Sequence, residues 1–259
     1  MEIQFFKYQG TGNDFVMVDN RSLTFPKENE LLINKMCDRR FGIGADGLIL
    51  LEPSDKYDFK MIYFNADGKE GSMCGNGGRC LVAFAKQLGI FINKTTFDAV
   101  DGEHYATVEN GIVSLKMIDV DTINSQDTYT FLDTGSPHHV EFCSEVSKLN
   151  VKDVGSTIRY GAPYFKKGTN VNFAEQTSEN SFKVRTYERG VEDETLACGT
   201  GVTAVAIAAN KAKLTKSNPI KLEVLGGNLE VSFTVENGIY NNVFLKGPAE
   251  FVFEGKYVS

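Results

Sequence analysis

A short turn that contains cysteine and glycine occurs twice in this chain, and each copy runs directly into an apolar segment. The first copy spans residues 73–89 (MCGNGGRCLVAFAKQLG) and the second spans residues 197–213 (ACGTGVTAVAIAANKAK). Because each apolar segment is typical of a helix, the pattern places a cysteine at a helix start in both copies. Cys74 and Cys198 lie nearly half of the 259-residue chain apart. This spacing predicts two related halves, each contributing one cysteine.

The start of a helix suits a reactive sulfur. The N–H groups of the first turn lack partners within the helix, and the aligned peptide dipoles place roughly half a positive charge there. A thiolate at that position gains up to about 2 kcal/mol, which moves the pKa of a thiol from roughly 8.5 towards 7. Such a thiol can act as a base near neutral pH. The glycines of both turns, Gly75, Gly77, Gly199 and Gly201, lack a Cβ and let the backbone approach a ligand closely.

The two cysteines also have simpler interpretations, which stay open. Either cysteine alone is as readily explained as a small buried hydrophobic residue. A zinc site is disfavoured, because Cys74 and Cys80 are too far apart for a C-x2-C pair and the three histidines complete no ligand pattern. A phosphate-binding turn is a closer rival, since glycine-rich turns at helix starts bind anions. Neither copy, however, has the Lys-Ser/Thr ending of a P-loop.

Composition narrows the function classes. Hydrophobic residues make up 42% of the chain and charged residues 24%, enough for a substantial core. The net charge of −7 and a pI near 5.1 argue against a nucleic-acid partner and favour a small molecule. The first ten residues do not resemble a signal peptide and no apolar run is long enough to span a membrane, so we expect a cytoplasmic protein. An odd number of cysteines, five, predicts reduced thiols.

Short predicted strands surround the two helices, which is typical of an α+β fold. Strands are predicted at residues 3–7, 15–18, 48–51, 59–65, 95–100, 104–109, 112–118, 129–133, 170–173, 182–187, 220–224, 228–235 and 241–245. Further helices are predicted at residues 30–39 and 145–151. Residues 9–14 and 134–139 are predicted loops, residues 119–127 are the candidate domain crossing, and the tail 250–258 is free to return to the first half.

Polar residues in the predicted loops and at strand ends are candidates for binding. Loop geometry and ligand binding both explain Asn13, and catalysis and loop hydrogen bonding both explain the pair His138 and His139. Glu188 and Arg189 end a predicted strand, and adjacent strand side chains point to opposite faces. If the following glycine turns the chain, they can bind an ammonium and a carboxylate group, which together describe an amino-acid group.

Residues 42–47, GIGADG, match a dinucleotide-binding fingerprint letter for letter. That fingerprint requires a strand before it and a helix after it. Here a helix is predicted before the segment and a strand after it. We therefore predict no nucleotide site.

The ordered set of motifs resembles the diaminopimelate epimerase family over essentially the whole chain. The motifs are, in order, GTGNDF, GIGADG, NADG, MCGNG, PH, NVNF, ERG and ACGTG. Each is weak alone, but the set with both cysteines is specific. The resemblance implies an α+β fold of two pseudo-symmetric domains, each a mixed, mostly antiparallel sheet wrapped around a central helix. It places the active site in the cleft between them.

The resemblance also implies domains and an activity. The implied domains are residues 1–118 with 248–259, carrying Cys74, and residues 119–247, carrying Cys198. The implied activity is a cofactor-independent epimerisation of L,L- and meso-diaminopimelate in lysine and peptidoglycan precursor synthesis, with the two cysteines as acid and base. Neither a cofactor nor a metal is implied. The only partner implied is the small-molecule substrate, without nucleic acid or membrane, and a homodimer is compatible with the resemblance.

Binding roles follow from the same resemblance. The non-reacting amino-acid end of the substrate would be held by Asn13, Asn65, Asn170, Glu188 and Arg189. The reacting carboxylate would be held by the helix-start amides of Gly75, Asn76, Gly199 and Thr200, with His138 in support. The chain departs from the family pattern at Ser136, often an asparagine, and in residues 188–198, which are one residue longer than in many members. Gly47 stands where some members have glutamine, so we assign it no ligand role.

Two alternatives from different classes remain. A proline or hydroxyproline racemase shares the paired Cys-Gly turns, but proline has no distal amino-acid group for Glu188 and Arg189 to bind. A thiol-redox or anion-binding module would also use cysteines with low pKa values. That module predicts no exchange of the Cα proton of any amino acid with solvent.

Overall fold

The computed structural model describes all 259 residues and divides the chain into two units. The first unit comprises residues 1–115 and 247–259, and the second comprises residues 116–246. The resemblance implied domain boundaries at residues 118 and 248. These lie close to the points at which the chain passes from one unit to the other. The C-terminal tail forms a strand of the first unit, paired antiparallel with the N-terminal strand, so the chain ends in the unit in which it began.

The elements alternate strands with few helices. In the first unit they are β1 (Glu2–Gly10), β2 (Asn13–Asp19), α1 (Glu30–Cys37), β3 (Gly47–Glu52), β4 (Phe59–Asn65), α2 (Gly75–Gln87), β5 (Lys94–Ala99), β6 (Gly102–Glu109) and β7 (Ile112–Lys116). In the second they are β8 (Ile123–Ser125), β9 (Thr130–Asp133), β10 (Pro137–Phe142), α3 (Val151–Tyr160), β11 (Asn170–Ser178), β12 (Ser181–Glu188), β13 (Asp193–Thr195), α4 (Gly199–Lys211), β14 (Ile220–Val224), β15 (Gly227–Glu236) and β16 (Ile239–Pro248). The tail is β17 (Glu250–Val258).

Both units use the same strand connectivity. In the first, the order β17-β1-β2-β3-β4-β5-β6-β7 is antiparallel except for the parallel pairs β2–β3 and β4–β5. In the second, the order β8-β9-β10-β11-β12-β14-β15-β16 is antiparallel except for β10–β11 and β12–β14. Each parallel pair is joined through a helix, because a parallel connection must cross the sheet. The predicted α+β fold of two pseudo-symmetric halves is confirmed.

The two cysteine-headed helices form the centres of their units. α2 packs against β1, β2, β3, β4 and β6, and α4 packs against β9, β10, β11, β12, β14 and β15. Residues 201–209 of α4 are all buried, and they are mostly alanine, valine and isoleucine. α2 buries Leu81, Val82 and Phe84 in the same way. A helix that is apolar on every side must be enclosed, and the strands wrap around it for that reason. None of the helices combines the length and apolar character needed to cross a membrane.

Three sequence predictions of local structure were wrong. The predicted loop at residues 9–14 is a tight hairpin, since β1 runs to Gly10, β2 starts at Asn13, and Thr11 and Gly12 both have positive φ as a two-residue turn requires. The predicted loop at residues 134–139 is partly strand, because the pairing of β10 with its neighbours begins at Pro137. The predicted helix at residues 145–151 is a 3₁₀ turn, Val146–Lys148, and the real helix is α3.

The missed helix α3 lies so close to β12 that only glycine fits at their contact. A Cβ at Gly155 would lie 2.4 Å from the Cβ of Tyr187. We expect Gly155→Ala to lower the free energy of unfolding by about 1–3 kcal/mol, the usual result of overpacking, in spite of the better helix propensity of alanine. Urea unfolding monitored by circular dichroism measures the loss.

Val154→Ala is the matched control, because Val154 lies in the same helix and is partly exposed. It should change the unfolding midpoint far less. Equal stability of Gly155→Ala and the wild type would contradict the close contact.

Candidate active site

Cys74 is the N-cap residue of α2. Its backbone is extended, with φ −110° and ψ 122°, and the helix begins at the next residue. The N–H of Gly77 donates a hydrogen bond to Cys74 Sγ over 3.5 Å. A Cβ on Gly77 would lie 2.9 Å from Cδ1 of Ile49 in β3, so glycine lets this turn pack on the sheet. The N–H groups of Gly75 and Asn76, in the first turn, have no acceptor within the helix.

Asn13 lies against Cys74. The Cys74 thiol donates to Asn13 Oδ1 over 3.7 Å, and Asn76 Nδ2 donates to the same oxygen over 3.3 Å. Asn13 is the first residue of β2, immediately after the hairpin turn. The first unit thus brings together three predicted site residues. Asn65 is the last residue of β4 and its side chain is exposed.

Arg79 is a buried cation that the sequence patterns did not reveal. It lies in α2 with no exposed surface, where Nη1 donates to Gly75 O over 3.4 Å and Nη2 donates to Thr11 Oγ1 over 3.3 Å. Its Nε has no hydrogen-bonding partner. Burial lowers the pKa of the guanidinium, while the thiols of Cys80 and Cys74 act in the opposite direction. Arginine stays charged in proteins, so the first helix carries a fixed positive charge behind its cysteine.

Cys198 is the N-cap residue of α4 and repeats the arrangement of Cys74. Its φ of −125° and ψ of 111° are again extended, and its side chain is buried. Its Sγ lies 3.5 Å from Thr200 Oγ1. Thr134 Oγ1 donates to Thr200 O over 2.8 Å and ties the helix start to the segment before β10. A cysteine at the N-cap of a buried helix is therefore present in both units.

Asn172 and His138 form a buried polar pair next to Cys198. A Cβ on Gly201 would lie 2.4 Å from Asn172 Oδ1 and 3.3 Å from Cys198 Sγ, so both groups contact this glycine. Asn172 Nδ2 donates to the carbonyl of His139 over 3.0 Å and to His138 Nδ1 over 3.1 Å. Because a carbonyl only accepts, it fixes the orientation of the Asn172 amide, and His138 Nδ1 must be the unprotonated nitrogen.

His138 is a neutral imidazole that carries its proton on Nε2. Burial, followed by the positive charge of Arg189, lowers its pKa from 6.5 to about 3. The Nε2 atom has no hydrogen-bonding partner in the protein. His138 was among the predicted site residues, whereas Asn172 was not. Asn172 belongs to the NVNF motif, but its place inside a predicted strand gave no reason to select it.

The turn after β12 holds Glu188 and Arg189. Glu188 is the last residue of β12, and Gly190 has a φ of 98°, which turns the chain as binding by both residues requires. The N–H of Arg189 donates to Asn170 Oδ1 over 2.9 Å, and Arg189 Nη1 donates to Lys167 O over 3.0 Å. Asn170 Nδ2 donates to Pro137 O over 3.2 Å. The predicted residues Asn170 and Arg189 are therefore in contact.

The carboxylate of Glu192 accepts hydrogen bonds that hold this turn. Its Oε1 accepts from the N–H of Gly190 over 3.1 Å and from Arg159 Nη2 over 3.0 Å, and its Oε2 accepts from Tyr187 Oη over 3.1 Å. Burial acts to raise the pKa of Glu192, but these hydrogen bonds hold it below its usual range. Glu192 lies between Glu188 and Cys198, and no sequence motif assigned it a role.

The chain offers no evident metal centre. No group of three or more His, Cys, Asp or Glu side chains is arranged to hold a metal ion. The candidate residues of the two units include amides, two N-cap cysteines, one neutral imidazole and the charged side chains of Glu188 and Arg189.

Comparison with known proteins identifies the family. The model of the family described as diaminopimelate epimerase matches residues 5–119 and 130–252. A diaminopimelate epimerase from Flavobacterium psychrophilum is 61% identical over 97% of this chain and 99% of that protein. The chain belongs to the diaminopimelate epimerase family. The resemblance inferred from the motifs is thereby confirmed, and with it the class of enzyme, an isomerase.

Solved structures extend the relationship at the level of the fold. A phenazine biosynthesis protein of the PhzF family from Bacillus anthracis superposes with a TM-score of 0.79 over 100% of both chains at 15% identity. A hydroxyproline epimerase from Agrobacterium vitis gives 0.69 over 98% of this chain and 92% of that chain at 13% identity. The epimerase family therefore shares its fold with other proteins, and the fold alone does not select a substrate.

The state of His138 can be observed directly. Because its folded pKa of about 3 is below the 6.5 of a solvated histidine, the unfolded chain binds the proton more readily. The contribution of neutral His138 to the free energy of unfolding is fully present above pH 6.5 and is lost as the pH falls towards 3. We expect the His138 ring resonances in NMR spectra to stay unchanged between about pH 5 and 8. His138→Gln assigns the signal, and a titration midpoint near 6.5 would contradict a buried neutral ring.

The role of Glu192 in shaping the turn is also testable. Glu192→Ala removes the acceptors for Gly190, Arg159 and Tyr187, so the turn should open more often. Trypsin cleaves after Arg189, and we expect cleavage there to accelerate several-fold, because local opening limits proteolysis. Peptide mapping by mass spectrometry measures the rate.

Glu179→Ala is the control, since Glu179 is exposed in a hairpin turn of the same unit. It should leave cleavage at Arg189 unchanged. Equal cleavage of Glu192→Ala and wild type would show that Glu192 does not hold the turn.

Proposed function

We propose that this chain interconverts L,L- and meso-diaminopimelate by moving one proton at Cα. Membership of the diaminopimelate epimerase family supports the reaction and its place in lysine biosynthesis. The observation that carries the mechanism is the repeated N-cap cysteine, Cys74 on α2 and Cys198 on α4. One thiol from each unit supplies the two acid-base groups that inversion requires.

The two cysteines have complementary roles in one turnover. To invert a stereocentre, a base removes the Cα proton on one face and an acid returns a proton on the other. In our scheme one cysteine, as thiolate, accepts the proton, and the electron pair of the broken C–H bond moves into the α-carboxylate. The second cysteine, as thiol, then gives its proton to the carbanion. The enzyme ends with the two protonation states exchanged, and the reverse reaction starts from that state.

The carbanion needs stabilisation that this scheme assigns to the helix starts. Negative charge grows on the carboxylate oxygens as the proton leaves Cα. We assign the N–H groups of Gly75, Asn76, Gly199 and Thr200 to these oxygens, because first-turn N–H groups and the helix dipole favour an anion. This assignment requires no cofactor. The buried charge of Arg79 adds to the positive potential at the start of α2.

The other end of the substrate is an ammonium and a carboxylate. We assign Glu188 to the ammonium group and Arg189 to the carboxylate, with Asn13, Asn65 and Asn170 as further polar contacts. The support is the turn itself, since the backbone of Arg189 is held by Asn170 and its exposed side chain is held by Lys167 O. We place His138 behind Cys198, connected to it through Asn172 and Gly201.

The partner and location predictions follow the family. A small-molecule substrate is implied by the family, whereas a homodimer, the absence of nucleic-acid binding and a cytoplasmic location stay predictions. Two rival functions also remain to be tested. A proline or hydroxyproline racemase has the same fold, but Glu188 and Arg189 favour a substrate with a distal amino-acid group. A thiol-redox or anion-binding module would not exchange a Cα proton.

The deciding experiment incubates the protein with L,L-diaminopimelate in heavy water. We expect the meso isomer to form with deuterium at Cα, measured by chiral chromatography and mass spectrometry. Cys74→Ala and Cys198→Ala should each reduce this activity by at least about 10²–10⁴-fold, the usual contribution of a general acid or base.

Cys143→Ala is the matched control, because Cys143 is a partly buried cysteine outside the site. It should keep normal turnover. Normal turnover of either Cys74→Ala or Cys198→Ala would refute the two-base scheme. Racemisation of proline without action on diaminopimelate would favour the first rival, and the absence of deuterium uptake by any amino acid would favour the second.

A further inference from the structure

The GIGADG segment, in which no nucleotide site is predicted, supplies an aspartate to the surroundings of Cys74. Asp46 Oδ2 accepts a hydrogen bond from Asn13 Nδ2 over 2.5 Å and from the N–H of Asp14 over 3.2 Å. Asp46 Oδ1 accepts from Arg39 Nη2 over 2.7 Å. A single carboxylate therefore contacts the residue that touches the Cys74 thiol.

The chemistry of a carboxylate decides how the Asn13 amide is oriented. An ionised carboxylate only accepts hydrogen bonds, whereas an asparagine amide has one donor end and one acceptor end. Asp46 therefore holds the NH₂ end of Asn13. The opposite end, Oδ1, is left to face Cys74 Sγ at 3.7 Å and Asn76 Nδ2 at 3.3 Å.

The position of Asp46 is itself held by an ion-pair network. Arg39 donates to Asp14 through Nη1 over 2.9 Å and Nη2 over 2.6 Å, in addition to Asp46. Lys7, which is buried, pairs with Asp14 over 2.7 Å and also donates to Gly44 O. Burial acts to raise the pKa of Asp14, but hydrogen bonds from Arg39 and Lys7 lower it to about 2. Asp14 therefore stays ionised near neutral pH.

A glycine allows the segment to reach this network. Gly44 has a φ of 82°, and a Cβ there would lie 2.9 Å from the Cα of Arg39. A side chain at this position would push residues 42–47 away from Arg39. The same segment then starts β3, whose first residue lies beside Phe15 of β2. The motif thus serves to place Asp46 next to Asn13.

We propose that Asp46 is a positioning residue that fixes which end of the Asn13 amide faces the Cys74 sulfur. The inference rests on the proposed function, in which Cys74 must both accept and give a proton. A carbonyl oxygen accepts from the thiol and repels the thiolate, whereas the N–H of Gly77 donates to the sulfur and favours the thiolate. With Asn13 held by Asp46, the sulfur contacts the Asn13 carbonyl, which favours the thiol, and the N–H of Gly77, which favours the thiolate.

The alternative orientation has a defined consequence. If the Asn13 amide were reversed, an N–H donor would replace the carbonyl acceptor beside the sulfur, and the thiolate would be favoured. Other charged or titratable groups near Cys74 or Asn13 act whichever way the amide lies. They are Arg79 on α2, the thiol of Cys80 on the same helix, and Asp14, Lys7 and Arg39 of the network. A test must therefore separate the orientation of Asn13 from the charge of Asp46.

A double-mutant cycle makes this separation. The variants are Asp46→Asn, Asn13→Ala and their combination, and the readout is the rate of Cys74 alkylation by iodoacetamide as a function of pH, followed by peptide mass spectrometry. The amide introduced by Asp46→Asn can donate as well as accept, so the Asn13 amide can reverse. We expect the midpoint of the Cys74 profile to fall by about one pH unit in Asp46→Asn, the size of effect that one hydrogen bond to the ionised form produces.

The combined variant gives the decisive comparison. If Asp46 acts through the Asn13 amide, Asp46→Asn will shift the midpoint in the wild-type background and not in the Asn13→Ala background. An equal shift in both backgrounds would mean that only the negative charge matters and would overturn the proposal. No shift in the wild-type background would also overturn it.

Three controls test whether the shift arises from the orientation of the Asn13 amide. Asp46→Glu keeps an acceptor-only group and should retain the wild-type profile more closely than Asp46→Asn. Asp67→Asn removes an exposed carboxylate from the same unit and should leave Cys74 unchanged. Thermal unfolding of each variant shows that it is folded.

The alkylation assay needs no turnover, so it tests the role of Asp46 separately from the proposed function. Failure of the proposed function would instead appear as a wild-type protein that does not exchange the Cα proton.

Discussion

The N–H groups at the start of a buried helix, which have no acceptor within the helix itself, are the constraint on which the rest of this structure depends. A helix enclosed by strands still exposes the donors of its first turn at one end, and these donors need acceptors. α2 and α4 each place a cysteine at that end, and the N–H of Gly77 already donates to the sulfur of Cys74. Gly77 lets the first turn pack closely on Ile49, and Gly201 lets the second pack closely on Asn172. First-turn N–H groups cost free energy when they have no acceptor, and the same N–H groups can stabilise a carboxylate that gains negative charge.

The repeated strand connectivity gives residues from distant parts of the chain matching positions. Asn13 begins β2 and Pro137 begins the equivalent strand β10, while Asn65 ends β4 and Glu188 ends β12. In each unit these strands flank the central helix that carries the cysteine. The candidate residues Asn65 and Glu188 therefore lie at equivalent ends of equivalent strands, each in its own unit. The two halves differ in what they add, namely an ion-pair network around Asp46 in the first and a buried Asn172–His138 pair in the second.

Both units contain buried polar groups, although the burial of such groups costs free energy. Arg79 has no carboxylate in hydrogen-bonding contact, and His138 stays neutral because its surroundings exclude water. Such groups need a compensating interaction or a function. Arg79 compensates for the negative charge that its helix start receives in our scheme. His138 and Asn172 fix one another by hydrogen bonding, and Asn172 and Cys198 both contact Gly201.

The sequence by itself determined the class of fold, the two cysteine-headed helices, most strand positions and the family, because these depend on local periodicity and on ordered motifs. It did not determine the length of β1 and β2, the strand at His138, or α3, since these depend on pairing and packing with residues far along the chain. Arg79, Asn172, Glu192 and Asp46 were not recognised for the same reason. Each lies in an ordinary-looking segment and acquires its role only from side chains that folding brings within hydrogen-bonding distance. Local patterns encode which residues start a helix, but hydrogen bonds between separate strands and helices decide which polar groups meet there.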